Sequence, residues 1–150
     1  MIIAAVDPDS DDARVLIGEL SAALSAITGD SGQSSFAAAD VRADGGVFLL
    51  ARAADGSLLG CGAVRRVDDS TGEIKRMYAR PASRGAGAAL LAALEREAGR
   101  RGFVTLLLAT RLVNLRAVSF YQKHCYVLVP NYGNYSGRPQ TICLAKNIGA

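Results

Sequence analysis

The chain has little of what marks a membrane protein, a secreted protein or a metalloprotein. No apolar run approaches the roughly 18–20 residues that span a bilayer, and the mainly apolar segment Phe103 to Ala109 predicts a buried strand. The first residues lack the basic and then apolar segments of a signal peptide, so we expect a cytoplasmic protein without a membrane anchor. The three cysteines, Cys61, Cys125 and Cys143, show no metal-ligand spacing, and we expect reduced, buried thiols and no metal.

The chain also lacks a strong excess of charge of either sign. Its 17 basic and 14 acidic residues give a net charge of +3, and basic residues occur in pairs such as Arg65-Arg66 and Arg100-Arg101. These pairs do not form the basic stripe that favours nucleic acid, although a small positive excess suits a polyphosphate ligand. Half of the residues are hydrophobic, so residues 1–150 can bury one ordinary core, and we expect a single domain.

The periodicity of the apolar residues predicts a mixed α+β fold in the order β-α-α-β-β-β-α-β-α-β-β, with helices on both faces of a sheet of about seven strands. Asp55-Gly56 between two apolar runs favours a tight hairpin, so the first half is predicted to be an antiparallel meander. A helix between two apolar strands then indicates a right-handed parallel crossover. The predicted strands cover residues 1–6, 47–53, 57–67, 73–79, 103–109, 126–129 and 141–146. The predicted helices end near residues 28, 41, 101 and 124, and the second of them, a short helix, covers residues 34–41.

The segment from Arg84 to Ala89 joins a strand directly to a helix. A helix that starts in this way presents unpaired backbone N–H groups and the positive end of its dipole, and both bind phosphate. Gly85 and Gly87 have no Cβ to keep a ligand away, and Arg84 adds a guanidinium that suits phosphate oxygens. The glycines alone are equally compatible with an ordinary strand–helix connection.

Two familiar nucleotide-binding motifs do not fit this loop. A dinucleotide fingerprint needs a third glycine where Leu90 stands, and an acidic residue about 20 positions further on, where residues 105–109 offer none. A P-loop needs Gly-Lys followed by Ser or Thr, which the loop does not contain. The loop therefore predicts a different phosphate-bearing ligand.

Two blocks of the sequence resemble the GNAT superfamily of N-acetyltransferases. Residues 84–89 are similar to its Gln/Arg-x-x-Gly-x-Gly/Ala motif, and residues 77–81 resemble the strand that leads into that motif. Residues 114–126 are similar to its Asn-x-x-Ala-x-x-Leu/Phe-Tyr-x-Lys-x-Gly-Phe/Tyr helix, with Cys125 where glycine is usual. The blocks occur in the expected order, and the resemblance extends over residues 47–146.

The resemblance implies a three-layer fold whose fourth and fifth strands, here residues 73–79 and 103–109, run parallel and splay apart around acetyl-CoA. The pantetheine arm would pair with the open backbone edge at Met77, Tyr78 and Ala79, where a backbone N–H would polarise the thioester carbonyl. Asn114 would contact or orient that arm. The implied pyrophosphate site comprises Arg84, Gly85, Ala86, Gly87, Ala88 and Ala89.

The resemblance also implies two catalytic residues. Tyr121 matches the position that protonates the departing CoA thiolate in many relatives, and a phenol is a competent acid toward a thiolate. Its alternative role is structural packing. Glu73 lies on the strand where some relatives carry the base that deprotonates the amine, and its alternative role is that of a carboxylate paired with Lys75 or Arg76. We interpret the single histidine, His124, as a structural residue at a helix end.

These residues predict acetyl transfer from acetyl-CoA to the primary amine of a small molecule, by direct attack in a ternary complex. The basic residues Lys75, Arg76, Arg111 and Arg138 outnumber nearby acids, which favours an acceptor that carries a carboxylate, although a solvated basic surface explains them as well. The loop 130–139 is expected to border the acceptor. Two other functions stay open: an acyl-CoA-binding sensor or partner module without turnover, and an acetyltransferase that modifies protein or tRNA. Homodimer formation also stays open.

Overall fold

The computed structural model describes residues 1–149, and these contain the predicted strands and helices in the predicted order. The strands are β1 (Ile2–Ala5), β2 (Val47–Arg52), β3 (Leu58–Arg66), β4 (Thr71–Ala79), β5 (Thr105–Arg111), β6 (Val127–Val129) and β7 (Thr141–Asn147). The helices are α1 (Asp11–Thr28), α2 (Ala38–Arg42), α3 (Ala86–Arg100) and α4 (Leu115–Lys123). Short 3₁₀ turns at Gln33–Ser35 and Gly133–Tyr135 precede α2 and β7. The predicted α+β class is confirmed.

All seven strands belong to one mixed sheet in the order β1-β2-β3-β4-β5-β7-β6. β4 and β5 run parallel and are connected by α3, whereas the other neighbouring strands are antiparallel. The turn between β2 and β3 includes Gly56, whose φ of 88° lies in the left-handed region that glycine adopts easily. The predicted hairpin and the predicted parallel crossover are both confirmed.

The parallel pair is hydrogen-bonded only at its start. The register pairs are Thr71 with Thr105, Gly72 with Leu106 and Glu73 with Leu107. Past these pairs, no further pairing joins the two strands within residues 1–149, although β4 continues to Ala79 and β5 to Arg111. Since β4 still pairs with β3 and β5 with β7, each strand keeps one open backbone edge facing the gap. The splay that the resemblance implies is confirmed.

Helices cover both faces of the sheet, which gives three layers. On one face, α1 and α2 bury small and apolar side chains such as Ala13, Leu16 and Val41 against β2 and β3. On the other face, α3 buries Leu90 and Leu94 completely against the sheet, and α4 packs on the same side. Full burial of a leucine stabilises a fold by about 2 kcal/mol, so these apolar stripes fix both helix layers.

β4 contains a β-bulge that the sequence did not predict. Ala63 of β3 faces Lys75, whereas Cys61 faces Tyr78, so β4 carries one extra residue between these two pairs. Arg76, within the bulge, adopts a left-handed φ of 52°, which is uncommon for any residue other than glycine. The bulge lies at the position where β4 leaves β5.

The bulge breaks the alternation of side chains along β4. Lys75 donates a hydrogen bond to the hydroxyl of Tyr135, and Arg76 donates one to Ser21 of α1. Both consecutive side chains therefore point to the face of the sheet that α1 and α2 cover. Met77 points to the opposite face, where it packs against the core beneath α3.

Two predicted boundaries were wrong. The predicted helix at 34–41 is instead a 3₁₀ turn followed by α2, because Ala37 is extended and the carboxylate of Asp40 accepts a hydrogen bond from its N–H, which begins a new helix there. The predicted strand start at Phe103 moves to Thr105, because the N–H of Phe103 still bonds to the carbonyl of Ala98 in the turn that ends α3.

Candidate functional site

The gap between β4 and β5 forms a cleft of about 220 Å³ that passes through the sheet. Residues 74–77 of β4 and 108–111 of β5 form its two walls. Asn114 and Tyr121 border it on the side of α4, and Leu20 and Leu24 border it on the side of α1. Two ligands that approach from opposite faces of the sheet can therefore meet inside this cleft.

The loop between β4 and α3, together with the first residues of α3, is suited to bind an anion, and we name residues 82–88 the anion cradle. Ala82 and Gly85 adopt left-handed φ values of 63° and 78°, which turn the chain sharply into the helix. The backbone N–H groups of Arg84, Gly85, Gly87 and Ala88 have no acceptor among the described residues. Unpaired N–H groups at the start of a 15-residue helix attract phosphate through both hydrogen bonding and the helix dipole.

Gly87, which is half-buried, leaves ordinary space between this cradle, α4 and the end of β4. A Cβ built at Gly87 would lie 3.5 Å from the ring of Phe120 and 3.7 Å from Cβ of Ala79, which are ordinary contacts. The protein itself therefore tolerates a methyl group there. The absence of a side chain instead keeps the backbone accessible to a ligand that lies against the loop.

The structure brings together the residues proposed to bind the cofactor. Met77, Tyr78 and Ala79 form the open half of β4, directly before the loop of residues 84–89. Asn114 caps α4 on the opposite wall, where its side-chain oxygen accepts a hydrogen bond from the N–H of Ala117 at 3.3 Å. The Asn114 amide nitrogen has no acceptor within residues 1–149, so it can donate into the cleft.

Tyr121 lies on α4 with its ring almost completely buried. Its ring makes edge contacts with Phe120 and Tyr126, with centroid separations of 5.2 and 5.5 Å. Burial raises the pKa of the Tyr121 phenol, so the group stays protonated at neutral pH. The hydroxyl borders the cleft and has no hydrogen-bond partner among the described residues. It is a proton donor without a competing acceptor.

Glu73 is fully buried at the closed end of the β4–β5 pair. One carboxylate oxygen accepts a hydrogen bond from Nε of Arg65 at 2.6 Å, and the other accepts one from the hydroxyl of Tyr132 at 2.5 Å. Nζ of Lys75 lies 3.6 Å from the second oxygen. Glu73 does not line the cleft in this arrangement, and it contacts the cleft through Lys75.

The basic residues suggested by the sequence gather on the α1 side of the cleft. Lys75, Arg76, Arg111 and Arg138 all line it, together with one carboxylate, Asp30. Asp30 pairs with Arg111 at 3.0 Å. The sequence identified these residue types, but it could not show that the bulge turns two consecutive basic side chains into the same space.

Cys125 stands at the end of α4, at the position where the motif usually has glycine. Cys125 adopts a left-handed φ of 73°, the conformation for which glycine is usual, and this turn ends the helix. The expectation of a buried thiol is wrong for Cys125, which is exposed because this turn carries its side chain away from the core, and it is right for Cys61 and Cys143. The ring of His124 packs against that of Phe120 in a tilted arrangement, with centroids 4.7 Å apart, which fits the structural role predicted for it.

Within residues 1–149, no helix is both long and apolar enough to cross a membrane. The same residues contain no cluster of three or more His, Cys, Asp or Glu side chains that could hold a metal ion.

The sequence profile of the acetyltransferase (GNAT) family matches residues 18–125, which include the splayed strands, the anion cradle and all of α4. The chain belongs to the GNAT acetyltransferase family. It is therefore an acyltransferase.

Individual relatives agree with the family assignment. An IAA acetyltransferase from Azospirillum brasilense is 33% identical over 102 residues, and the match spans 66% of this chain and 66% of that protein, slightly less than two thirds of its length. A solved structure from Klebsiella pneumoniae, assigned as an acyl-CoA N-acyltransferase, is 26% identical with a TM-score of 0.82 and covers 98% of this chain and 97% of that one.

A further solved structure, with lower sequence identity, supports the assignment of the fold only. A GNAT family acetyltransferase from Elizabethkingia anophelis, with acetyl-CoA bound, is 17% identical with a TM-score of 0.69 and covers 97% of each chain. Together with the Klebsiella structure it confirms the three-layer GNAT fold with splayed β4 and β5.

Proposed function

We propose that this GNAT protein transfers an acetyl group from acetyl-CoA to the primary amine of a small molecule, by direct attack in a ternary complex. The amine nitrogen forms a bond to the thioester carbonyl carbon, and the carbon–sulfur bond breaks. The amine loses one proton to a base, and the departing thiolate gains one. The through-sheet cleft supports this proposal because it lets two ligands meet from opposite faces.

The fit of acetyl-CoA rests on two features of the protein. The N–H groups of Arg84, Gly85, Gly87 and Ala88 lack protein acceptors, and they suit a pyrophosphate. The open edge of β4 after Glu73 suits the amides of a pantetheine arm, which would pair with it as an added strand does. When bound, acetyl-CoA would supply the thioester, and Met77 to Ala79 would orient it. Asn114 would hold the arm from the other wall.

Tyr121 is the proposed general acid. Its hydroxyl borders the cleft, stays protonated and has no other acceptor within the described residues, so its proton is free for the leaving sulfur. The buried rings of Phe120 and Tyr126 hold its orientation. This rigidity supports a role in positioning as well as in proton donation.

The base is proposed to be Glu73 or water. Glu73 is enclosed by Arg65, Tyr132 and Lys75, so it could accept the amine proton only through an intervening group such as Lys75 or a water molecule. A direct role for water requires only that the amine enters the α1 side of the cleft. We also propose a cytoplasmic location, which the three free cysteines support.

The observation that carries the proposal is the anion cradle next to the open strand edge, and Gly87→Glu tests it. We expect this variant to bind acetyl-CoA at least about 100-fold more weakly, because a carboxylate then occupies the phosphate position. Gly99→Glu is the matched control, since Gly99 lies exposed at the other end of α3 with no atom near its would-be Cβ. Calorimetry should show near wild-type affinity for the control.

Undiminished affinity in folded Gly87→Glu would refute the pyrophosphate assignment. Turnover is tested separately with a pool of small primary amines and acetyl-CoA, by following the release of free thiol. Tight binding of acetyl-CoA with no release from any amine would instead favour a binding module.

A further inference from the structure

Arg76 is an unusual cation for a protein interior. Only 7% of Arg76 is exposed to solvent, and no carboxylate of residues 1–149 lies within 4 Å of its guanidinium. Burial disfavours the charged form and lowers the pKa of Arg76 from its ordinary value. A buried cation without a partner costs a fold several kcal/mol, so its retention in the wall of a cleft needs an explanation.

The hydrogen bonds of Arg76 leave donors to spare. One terminal nitrogen donates to the carbonyl of Ser31 at 3.1 Å, and the other donates to the hydroxyl of Ser21 at 2.8 Å. Nε is buried and has no partner among the described residues. A guanidinium has five N–H donors, so three remain unused. The two serines fix the orientation of the group without neutralising its charge.

The bulge places Arg76 among several cations on the α1 side of the cleft. Arg76 lines the α1 side of the cleft beside Lys75. Lys75 shares the single buried carboxylate of Glu73 with Arg65, and Arg111 pairs with Asp30. Arg138 lines the same side and pairs with no carboxylate of residues 1–149. Arg76 and Arg138 are therefore two cations on the α1 side that have no carboxylate partner among the described residues.

We infer that Arg76, with Arg138 at the rim, is the binding site for a carboxylate on the acceptor, so that the acceptor is an amine that also carries a carboxylate, as amino acids do. This inference rests on the proposed function. A carboxylate can accept from the unused donors of the fixed guanidinium, and it would provide the missing counter-charge. The carboxylate takes no part in the bond changes; it places the amine in the through-sheet cleft.

A comparison of matched acceptors tests the site in the wild-type enzyme. The probes are the proteinogenic amino acids and, for each, the corresponding carboxamide, which has the same amine and side chain but no negative charge. We expect kcat/KM for the best amino acid to exceed that of its carboxamide by at least about tenfold, mainly through KM. Equal rates, or faster acetylation of the carboxamide, would overturn the inference.

The variant Arg76→Gln tests whether Arg76 causes the preference for the acid over the carboxamide. We expect its preference for the acid over the carboxamide to fall by about tenfold or more, because kcat/KM falls further for the acid than for the carboxamide. Arg80→Gln is the matched control, because Arg80 also lies beside β4 but pairs with Glu19 outside the cleft. It should keep the wild-type preference ratio. An unchanged ratio in Arg76→Gln would overturn the assignment, and Arg76→Lys should recover part of the preference.

The two proposals fail in different ways. If carboxamides and simple amines are acetylated as well as the acids, the proposed function stands and the carboxylate site falls. If no acid, amide or amine releases thiol from bound acetyl-CoA, the proposed function falls. Should Arg76→Gln not fold, the wild-type comparison of acid and carboxamide still decides the question.

Discussion

The two faces of the sheet meet at the same cleft, but they present opposite chemistry to it. On the α3–α4 face, the groups next to the gap are small or neutral: Met77, Ala79, Gly87 and Tyr121. On the α1 face, the gap is bordered by guanidinium and ammonium groups. This difference suits the proposed function, in which one face would receive the pantetheine arm with its thioester and the other would receive a charged acceptor.

Glu73, at the hydrogen-bonded end of the β4–β5 pair, supplies a buried negative charge to the cations of the α1 face, and Glu73→Gln removes that charge. The change leaves Lys75 and Arg65 without a buried counter-charge, so we expect the free energy of unfolding to fall by about 3 kcal/mol. Denaturant unfolding monitored by circular dichroism measures this. Glu19→Gln, which removes a half-exposed carboxylate from its pair with Arg80, should cost less than about 1 kcal/mol.

The same Glu73 variant tests its role as the base. If Glu73 takes the amine proton, the rise of kcat with pH on the acid side should disappear in Glu73→Gln, while the affinity for acetyl-CoA stays almost unchanged. An unaltered pH–rate profile at lowered stability would assign Glu73 to charge balance beneath Lys75, and the base would then be water.

Tyr121→Phe tests whether the phenol on the neutral face acts as the general acid. Removal of the hydroxyl should slow the single-turnover rate about 100-fold, because the thiolate then leaves unprotonated, and the affinity for acetyl-CoA should change less than tenfold. Because burial raises the pKa of Tyr121, wild-type activity should not fall through its ionisation below about pH 10. A donor with a more acidic thiol should partly restore the variant.

Tyr126→Phe is the control for this experiment. The Tyr126 hydroxyl donates to Glu95 at 2.8 Å, away from the cleft, so its loss should reduce stability by about 1 kcal/mol and leave the rate unchanged. A fully active but destabilised Tyr121→Phe would place Tyr121 among the packing residues instead.

Arg138→Gln tests how much the arginine at the rim contributes to the preference for an acceptor with a carboxylate. Arg138 is exposed at the rim, so water screens its charge, and we expect the preference for acid over carboxamide to fall only about threefold. Steady-state kinetics with the two acceptors measures this. A loss as large as that of Arg76→Gln would mean that the rim, and not the buried guanidinium, holds the carboxylate.

Cys125→Gly should give the smallest effect, and in the stabilising direction. The left-handed conformation costs a residue with a Cβ roughly 1–2 kcal/mol, and glycine avoids this cost while losing some backbone entropy on folding. We expect a gain of about 0.5–1 kcal/mol in the free energy of unfolding. A loss of stability would show that packing of the Cys125 side chain outweighs the backbone cost.

The sequence predicted the architecture well because each element carries a local signal. Apolar spacing marked α1 and α3, Asp55-Gly56 marked the hairpin, and the glycine-rich loop marked the start of α3. These signals depend on residues close in sequence, and most boundaries agree within two residues.

The sequence could not predict the features that depend on pairing across strands. The bulge at Arg76 arises from the register between β3 and β4, and an arginine gives no local sign of a positive φ. The enclosure of Glu73 depends on Arg65 across the sheet and on Tyr132 from a distant loop. The charged residues of the site and a pairing of Glu73 with Lys75 were therefore identified, but the partners Arg65 and Tyr132 were not.

The splay also divides the strand pairing of the sheet into two blocks, although one apolar core spans both of them. The strands β1 to β4 form one hydrogen-bonded block and β5 to β7 form another, and three register pairs join them. A ligand arm bound along both open edges would act as a strap between the blocks. Binding at 100 times Kd would stabilise the protein by about 2.7 kcal/mol, and amide hydrogen exchange across β5 and β7 would slow as the two blocks stop opening independently.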